Sequence, residues 1–258
     1  MLSWFSENFK DTVIKVVKDM DETANMVMKT VKERIIAAIK DIRNIVDEMS
    51  EATSSIAKSS IKMINEVGGD SIKTATELVN NSLLGFGGTV NSASETTQGS
   101  VKALGATVRG VITGLEEIRA DLDKAITNII RGVVQSTAAI GGDVSVTVNE
   151  SIRNIVAGLT GTSVEVTKSI ENAVGTAIKS ASDSGEDVGK VAVGAINGSL
   201  TAVEDMGGSV SKTLTATVNM ALDTASSISN ESLNRVKESL INSIDGAKEI
   251  IKKREDKE

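Results

Sequence analysis

Several residue types that supply reaction chemistry are missing from this chain. It has no cysteine, histidine, proline or tyrosine, and its only aromatic residues are one tryptophan and three phenylalanines in 258 residues. Without cysteine and histidine there is no thiol nucleophile, no disulfide framework, and neither the usual general base nor the commonest metal ligand. We therefore expect no enzyme activity, no cofactor and no metal site. Because aromatic rings provide much of the buried area of a globular core, their scarcity also argues against a compact globule.

Charge and hydropathy exclude two further kinds of partner. The formal net charge is -7 and the sequence has no basic block, which argues against nucleic-acid binding. No run approaches 18 consecutive apolar residues, so we expect no membrane-spanning helix. No signal peptide is evident at the start of the sequence, and the cytoplasm is therefore the default expectation for location.

The most regular feature of the sequence is an apolar residue at almost every eleventh position, counting from Phe5 to Ala247. Eleven residues make three turns at about 3.67 residues per turn, a hendecad period typical of nearly straight or right-handed supercoiled helices. Columns four and seven positions later are also largely apolar, so the three form one stripe along a helix. We expect this stripe to be a self-association surface. Its central members are Val108, Leu115, Ile126, Ile130, Val133, Val144, Val148, Ile152, Ile155, Leu159, Ile170, Val174, Ile196, Val203, Leu214 and Val218.

Successive hendecads pair into a 22-residue unit, because large and small residues alternate in the column that begins at Val108. Only Arg119 stands where a small residue is due. The alternation predicts that helices pack closely at the small positions. These positions are Gly141, Ser163, Gly185 and Gly207.

The second half of several units carries an acidic residue three positions before a lysine. Residues at this spacing are neighbours on a helix surface, so the pattern predicts ion pairs. The pairs are Asp121 with Lys124, Glu165 with Lys168 and Asp187 with Lys190.

The glycine pairs at 68–69, 87–88, 141–142 and 207–208 leave the apolar phase unchanged. A continuous helix must keep this phase, so we expect an all-α protein with one very long amphipathic helix, which assembles into a homo-oligomeric bundle, tube or filament. The alternative is a set of helical hairpins bent at the glycine pairs. We divide the chain into an N-terminal amphipathic helix with an aromatic tip (1–37), tandem 22-residue repeats (38–246) and a charged helix end (247–258).

Three of the four aromatic residues, Trp4, Phe5 and Phe9, lie within the first nine positions. Tryptophan near a polar–apolar boundary suits a membrane interface. Packing between neighbouring N-termini in an oligomer would explain the same cluster. We expect either a membrane contact or an end-to-end contact at these residues.

The repeats resemble known amphipathic-helix families at the level of pattern. The segment 169–179, SIENAVGTAIK, is similar to the small, Thr-, Val- and Gly-rich repeats of perilipins. Over nearly the whole chain, the tandem 11- and 22-residue units also resemble exchangeable apolipoproteins, late-embryogenesis proteins, phasins and hendecad coiled coils. The resemblance to perilipins implies a lipid-surface function, and the resemblance to hendecad coiled coils implies an elongated assembly.

Two functions follow as expectations. The leading one is a non-enzymatic structural protein that self-associates through its apolar stripe into a coiled-coil, tubular or filamentous assembly, because so much exposed apolar surface would drive association. The alternative is an amphipathic helical coat protein that binds a lipid, membrane or granule surface. The expected partner is the protein itself, or a lipid surface in the alternative.

Overall fold

The computed structural model of the chain describes residues 48, 50–66, 68–86, 95–160 and 165–256. By its contacts the chain divides into two units, Met1–Glu48 and Met49–Glu258. The fold presented below is that of the second unit.

The described residues form ten separate helices and no strand. The all-α class is therefore confirmed, and the prediction of one continuous helix is wrong. The helices are α1 (50–66), α2 (Ser71–Phe86), α3 (Glu95–Glu117), α4 (Leu122–Ala139), α5 (Val144–Leu159), α6 (Val166–Asp183), α7 (Val188–Asp205), α8 (Val210–Ile228), α9 (Asn230–Ser243) and α10 (Ala247–Glu255).

Four of the described turns share one backbone geometry. In each of them the second residue after the helix has a left-handed conformation, with φ of 56° at Arg119, 69° at Gly141, 72° at Gly185 and 70° at Gly207. The next N–H then bonds back to a carbonyl five residues earlier, as Gly142 N does to Thr137 O at 2.9 Å. This is the Schellman arrangement that ends many helices. The chain thus turns at the glycine pairs 68–69, 141–142 and 207–208, as the hairpin alternative predicts, whereas the pair 87–88 lies outside the described residues.

Several turns end in a residue whose side chain caps the next helix. Asp121 Oδ1 accepts a hydrogen bond from Lys124 N at 3.0 Å, and Asp187 Oδ1 accepts from Lys190 N at 3.1 Å. At Asp121 and Asp187 the acid-to-lysine spacing therefore reflects an N-cap that satisfies a free backbone N–H, whereas Glu165 makes no capping bond. Lys168 lies 3.6 Å from the carboxylate of Asp123 on α4.

Removal of one such cap gives a testable prediction. Asp187→Ala is expected to lower the free energy of unfolding by about 1 kcal/mol, because the first N–H groups of α7 lose their acceptor. Thermal unfolding followed by circular dichroism measures the change. Glu165 occupies the same position of the repeat but makes no capping bond, so Glu165→Ala is the matched control. Equal losses in the two variants would contradict the capping role.

The helices pack in two layers. Among α2 to α10, each helix contacts the next one along the chain and the one after that. Odd-numbered helices therefore lie beside one another in one layer and even-numbered helices in the other. Because the described turns are short, the helices that they join run antiparallel, and alternate helices of the array run parallel. This is the connectivity of a helical-repeat array, in which the core is shared only between near neighbours.

The constant phase of the apolar stripe has a simple cause in this array. In each of the four units from α4 to α7, a helix of 16 to 18 residues and the turn after it together occupy 22 residues. Because these units have the same length, equivalent core positions recur at the same spacing even though the helix is interrupted. The unchanged phase therefore does not require a continuous helix.

Candidate functional site

The predicted self-association stripe lies in the interior of the array. Fifteen of its sixteen members are buried, and Leu214 is half-buried against the same core. Ile130 and Ile152, for example, are fully buried between helices of their own chain. The large apolar surface from which we inferred self-association is therefore covered without a second copy. Self-association through these residues stays a prediction.

Three of the four small positions of the stripe lie at turns. Gly141, Gly185 and Gly207 stand at the left-handed turn positions, and a Cβ added at any of them would meet no atom within 4 Å. Their role is to adopt a positive φ, which L-residues with side chains adopt at an energetic cost. Within the chain these three glycines make no close helix contact, and close packing against another copy stays a prediction. Ser163 lies outside the described residues, as do Trp4, Phe5 and Phe9.

Other glycines, inside the helices, make the close contacts. Gly194 and Gly198 on α7 face α5, where added Cβ atoms would collide with the backbone of Ser145 and Asn149 respectively. A Cβ at Gly198 would lie 3.0 Å from Cα of Asn149. The two parallel helices are thus in backbone contact, which only glycine permits.

Close contacts at glycine also join other helices of the odd layer. On α3, Gly110 and Gly114 face Ala57 and Ile61 of α1, and an added Cβ would lie 2.9 Å and 3.0 Å from their respective Cβ atoms. Gly158 on α5 faces Ile112 of α3 in the same way. The sequence signal that could have identified these contacts is the spacing of four residues in the pairs 110/114 and 194/198, which places both glycines on one helix face.

Hydrogen bonds between residues about 45 positions apart in the sequence fix how alternate helices align with each other. Ser145 Oγ donates to Lys190 O at 2.9 Å, linking α5 to α7. Thr127 Oγ1 donates to Asn172 Oδ1 at 3.1 Å, linking α4 to α6. Asn172 Nδ2 in turn donates to Asp123 O at 3.0 Å. These bonds join residues about two 22-residue units apart, which is the spacing of alternate helices.

Several buried hydroxyl groups are satisfied inside their own helix. Ser199 Oγ donates to Ala195 O at 2.8 Å, and Thr217 Oγ1 donates to Thr213 O at 2.8 Å. Such bonds to the preceding turn need no partner from another helix. Among the described residues Ser151 is an exception, a buried hydroxyl without a hydrogen-bond partner.

An ion cluster ties α1 to α3. Lys58 Nζ lies 2.5 Å from Glu117 Oε1, and Lys62 Nζ lies 3.0 Å from Glu117 Oε2. The hydrogen bonds from Lys58 and then Lys62 hold the pKa of Glu117 below its ordinary value of 4.5. Because the folded-state pKa is lowered, the cluster stabilises the fold at pH above about 4.5 and loses this effect as the pH falls through the folded-state pKa.

We expect Glu117→Gln to reduce the free energy of unfolding at pH 7 by up to about 1 kcal/mol, since partly exposed ion pairs contribute little. The difference from the unsubstituted protein should vanish in melts recorded well below pH 4.5. Glu116→Gln removes the same charge one residue away and serves as the control. A pH-independent difference for Glu117→Gln would contradict the electrostatic origin.

Two surface hollows lie along the odd layer. A groove of about 330 Å³ between α3, α5 and α7 is lined by Val101, Val146, Val193 and the amides of Asn149 and Asn197, among others. It offers apolar contacts and amide hydrogen bonds. A second hollow, of about 380 Å³, lies where α5 and α7 begin and contains Asp143, Glu186, Asp187 and Lys190. In that hollow Asp143 and Asp187 already bond to backbone N–H groups as helix caps.

In the part of the chain that the structure describes, no cluster of three acidic residues is arranged to hold a metal ion. Within the same residues no helix is long and apolar enough to cross a membrane. Comparison with known proteins adds no assignment: no protein-family model matches the chain, and no curated protein has a similar sequence.

Proposed function

We propose that the protein is a non-enzymatic structural protein, a helical-repeat scaffold that associates with further copies of itself. The observation that carries this proposal is the repeated contact between parallel helices two positions apart. At α5 and α7 this contact consists of glycine against backbone, reinforced by a bond from Ser145 to Lys190. Such contacts build a rigid framework, in which the apolar stripe packs against helices of the same chain.

The surface chemistry of the described residues supports a structural role. The two hollows of the odd layer present valines, amides and cap carboxylates. The C-terminal helix α10 buries only Ala247 and Ile251 and carries Lys252, Lys253 and Arg254 in its last turn. Addition of a further copy onto this charged surface of α10 is therefore disfavoured, which favours self-association through the stripe residues.

The experiment that tests the proposal is sedimentation velocity with circular dichroism on the full chain in lipid-free buffer, over a wide concentration range. We expect a helical protein whose mass rises above that of the 26.9 kDa monomer. A helical protein that stays at the monomer mass at every concentration would refute self-association.

A lipid-, membrane- or granule-surface coat is the second candidate. The observation in its favour is that buried hydroxyls such as Ser199 and Thr217 bond within their own helices. The helices could therefore separate and turn their apolar faces to lipid without leaving these groups unpaired. Phosphatidylcholine vesicles added to the same experiment distinguish the two functions. A protein that becomes helical only with vesicles would support the coat.

A further inference from the structure

The turn between α3 and α4 has an arginine where the comparable turns after α4, α6 and α7 have a glycine. Arg119 has a φ of 56°, and every other residue with a positive φ among those described is a glycine. A left-handed conformation is unfavourable for an arginine because its Cβ crowds the following carbonyl oxygen. Arg119 would lose this strain if it joined a right-handed helix, whereas Gly141, Gly185 and Gly207 are unstrained in their turns and are poor helix formers.

The sequence around this turn is also suited to a continuous helix. Apolar residues follow one another at spacings of three and four straight through it, at Val111, Leu115, Ile118, Leu122, Ile126 and Ile129. In the folded array Ile118 and Leu122 are only partly buried against the core. Residues 115–131 contain neither glycine nor proline. If the turn straightened, Glu95 to Ala139 would become one helix with an unbroken apolar face.

The packing of the two helices also makes the same turn easy to open. From α2 to α9, α3 and α4 have the least extensive contact of any consecutive pair. Helix α3 packs mainly on α5, and α4 packs mainly on α2 and α6. Straightening would separate α1–α3 from α4–α10 of the same chain. Each of these two blocks could then pack against the other block of a second copy, which offers the same complementary surface.

We propose that the Arg119 turn is a hinge at which two copies of the chain exchange their first helices. In the exchanged dimer, α1–α3 of one copy pack on α4–α10 of the other and remake every contact except the turn itself. Exchange of identical elements is a low-cost route to a dimer, because the only new structure is the straightened segment. The inference rests on the proposed self-association and specifies where it occurs.

The test compares the full-length chain with Arg119→Gly and Arg119→Lys, each refolded at high concentration and analysed by sedimentation. Glycine at position 119 removes the strain of the turn and disfavours the straightened helix. Each exchanged dimer contains two such hinges. Arg119→Gly should therefore weaken dimerisation roughly 100-fold, about tenfold for each hinge. Arg119→Lys keeps both the charge and the side-chain strain, so it should dimerise like the unsubstituted chain. Equal dimerisation of the glycine variant and the unsubstituted chain would overturn the hinge while leaving self-association intact.

A second measurement separates exchange from surface association. Two versions of the chain that differ in mass are either mixed when folded or refolded together. Exchange requires the array to open, so mixed dimers should form readily after joint refolding and slowly after mixing of folded chains. Fast formation of mixed dimers from folded chains would overturn the exchange. A monomer at all concentrations, in every variant, would overturn both the exchange and the self-association on which it rests.

Discussion

Ile152→Asp is expected to destabilise the array by about 4 kcal/mol or more, enough to unfold much of the protein if its total stability is ordinary. Ile152 lies in the middle of α5 and has no exposed surface. The substitution removes a well-packed aliphatic side chain and places a carboxylate where no cation or water can reach it. Thermal and urea unfolding, followed by circular dichroism at 222 nm, measure the loss.

Val146→Asp is the matched control, because it makes the same aliphatic-to-acid change on the same helix. The Val146 side chain is 47 % exposed and lies in the first turn of α5, where a negative charge interacts favourably with the helix dipole. We expect its melting temperature to lie within a few degrees of that of the unsubstituted protein. Similar melts for the two variants would show that the apolar stripe is not the buried face.

The identity of the buried face could be predicted from sequence. The hendecad column and its companions identified Ile130, Ile152 and Ile196, all of which are fully buried. Periodicity is informative here because an α-helix converts linear spacing directly into a face. It also identified the 22-residue unit, which corresponds to one helix and its turn.

The partner of that face could not be predicted in the same way. A continuous helix facing another copy and a series of helices facing one another within one chain bury the same residues. The sequences of the two arrangements differ only at the turns. The column in which Ile130, Gly141 and Ile152 alternate also contains the turn residue Gly185, but we interpreted its glycines as close-packing residues. A glycine at a constant position of the repeat indicates either a close approach of two helices or a left-handed residue, and φ values near 70° show the latter.

The contacts between helices were missed for a related reason. Gly194 and Gly198 do not belong to the large-and-small column, so the search along that column passed over them. The acids before Lys124 and Lys190 were read as surface ion pairs because i and i+3 neighbours were assumed to lie inside one helix. They lie at helix starts, where the carboxylate accepts a hydrogen bond from a backbone N–H that has no partner within the helix, instead of pairing with the lysine side chain.

Gly198→Ala is expected to lower the free energy of unfolding by about 2 kcal/mol, although alanine favours a helix more than glycine does. The added Cβ would lie 3.0 Å from both C and Cα of Asn149, and closer still to its carbonyl oxygen. Because these atoms belong to the backbone of α5, no side-chain rotation can make room. The two helices must move apart, and the bond between Ser145 and Lys190 beside them should weaken.

Gly175→Ala provides the comparison, since it makes the same change in the interior of α6. Its added Cβ would meet Oγ1 of Thr224 at 3.2 Å and Sδ of Met220 at 3.3 Å. Both are side-chain atoms, and the thioether of methionine can shift to another rotamer at little cost. We expect Gly175→Ala to be neutral or to stabilise the protein by up to about 1 kcal/mol through helix propensity. Chemical unfolding of both variants decides the matter: if Gly198→Ala is as stable as Gly175→Ala, then α5 and α7 are not in backbone contact and the register of the odd layer must differ from the one described.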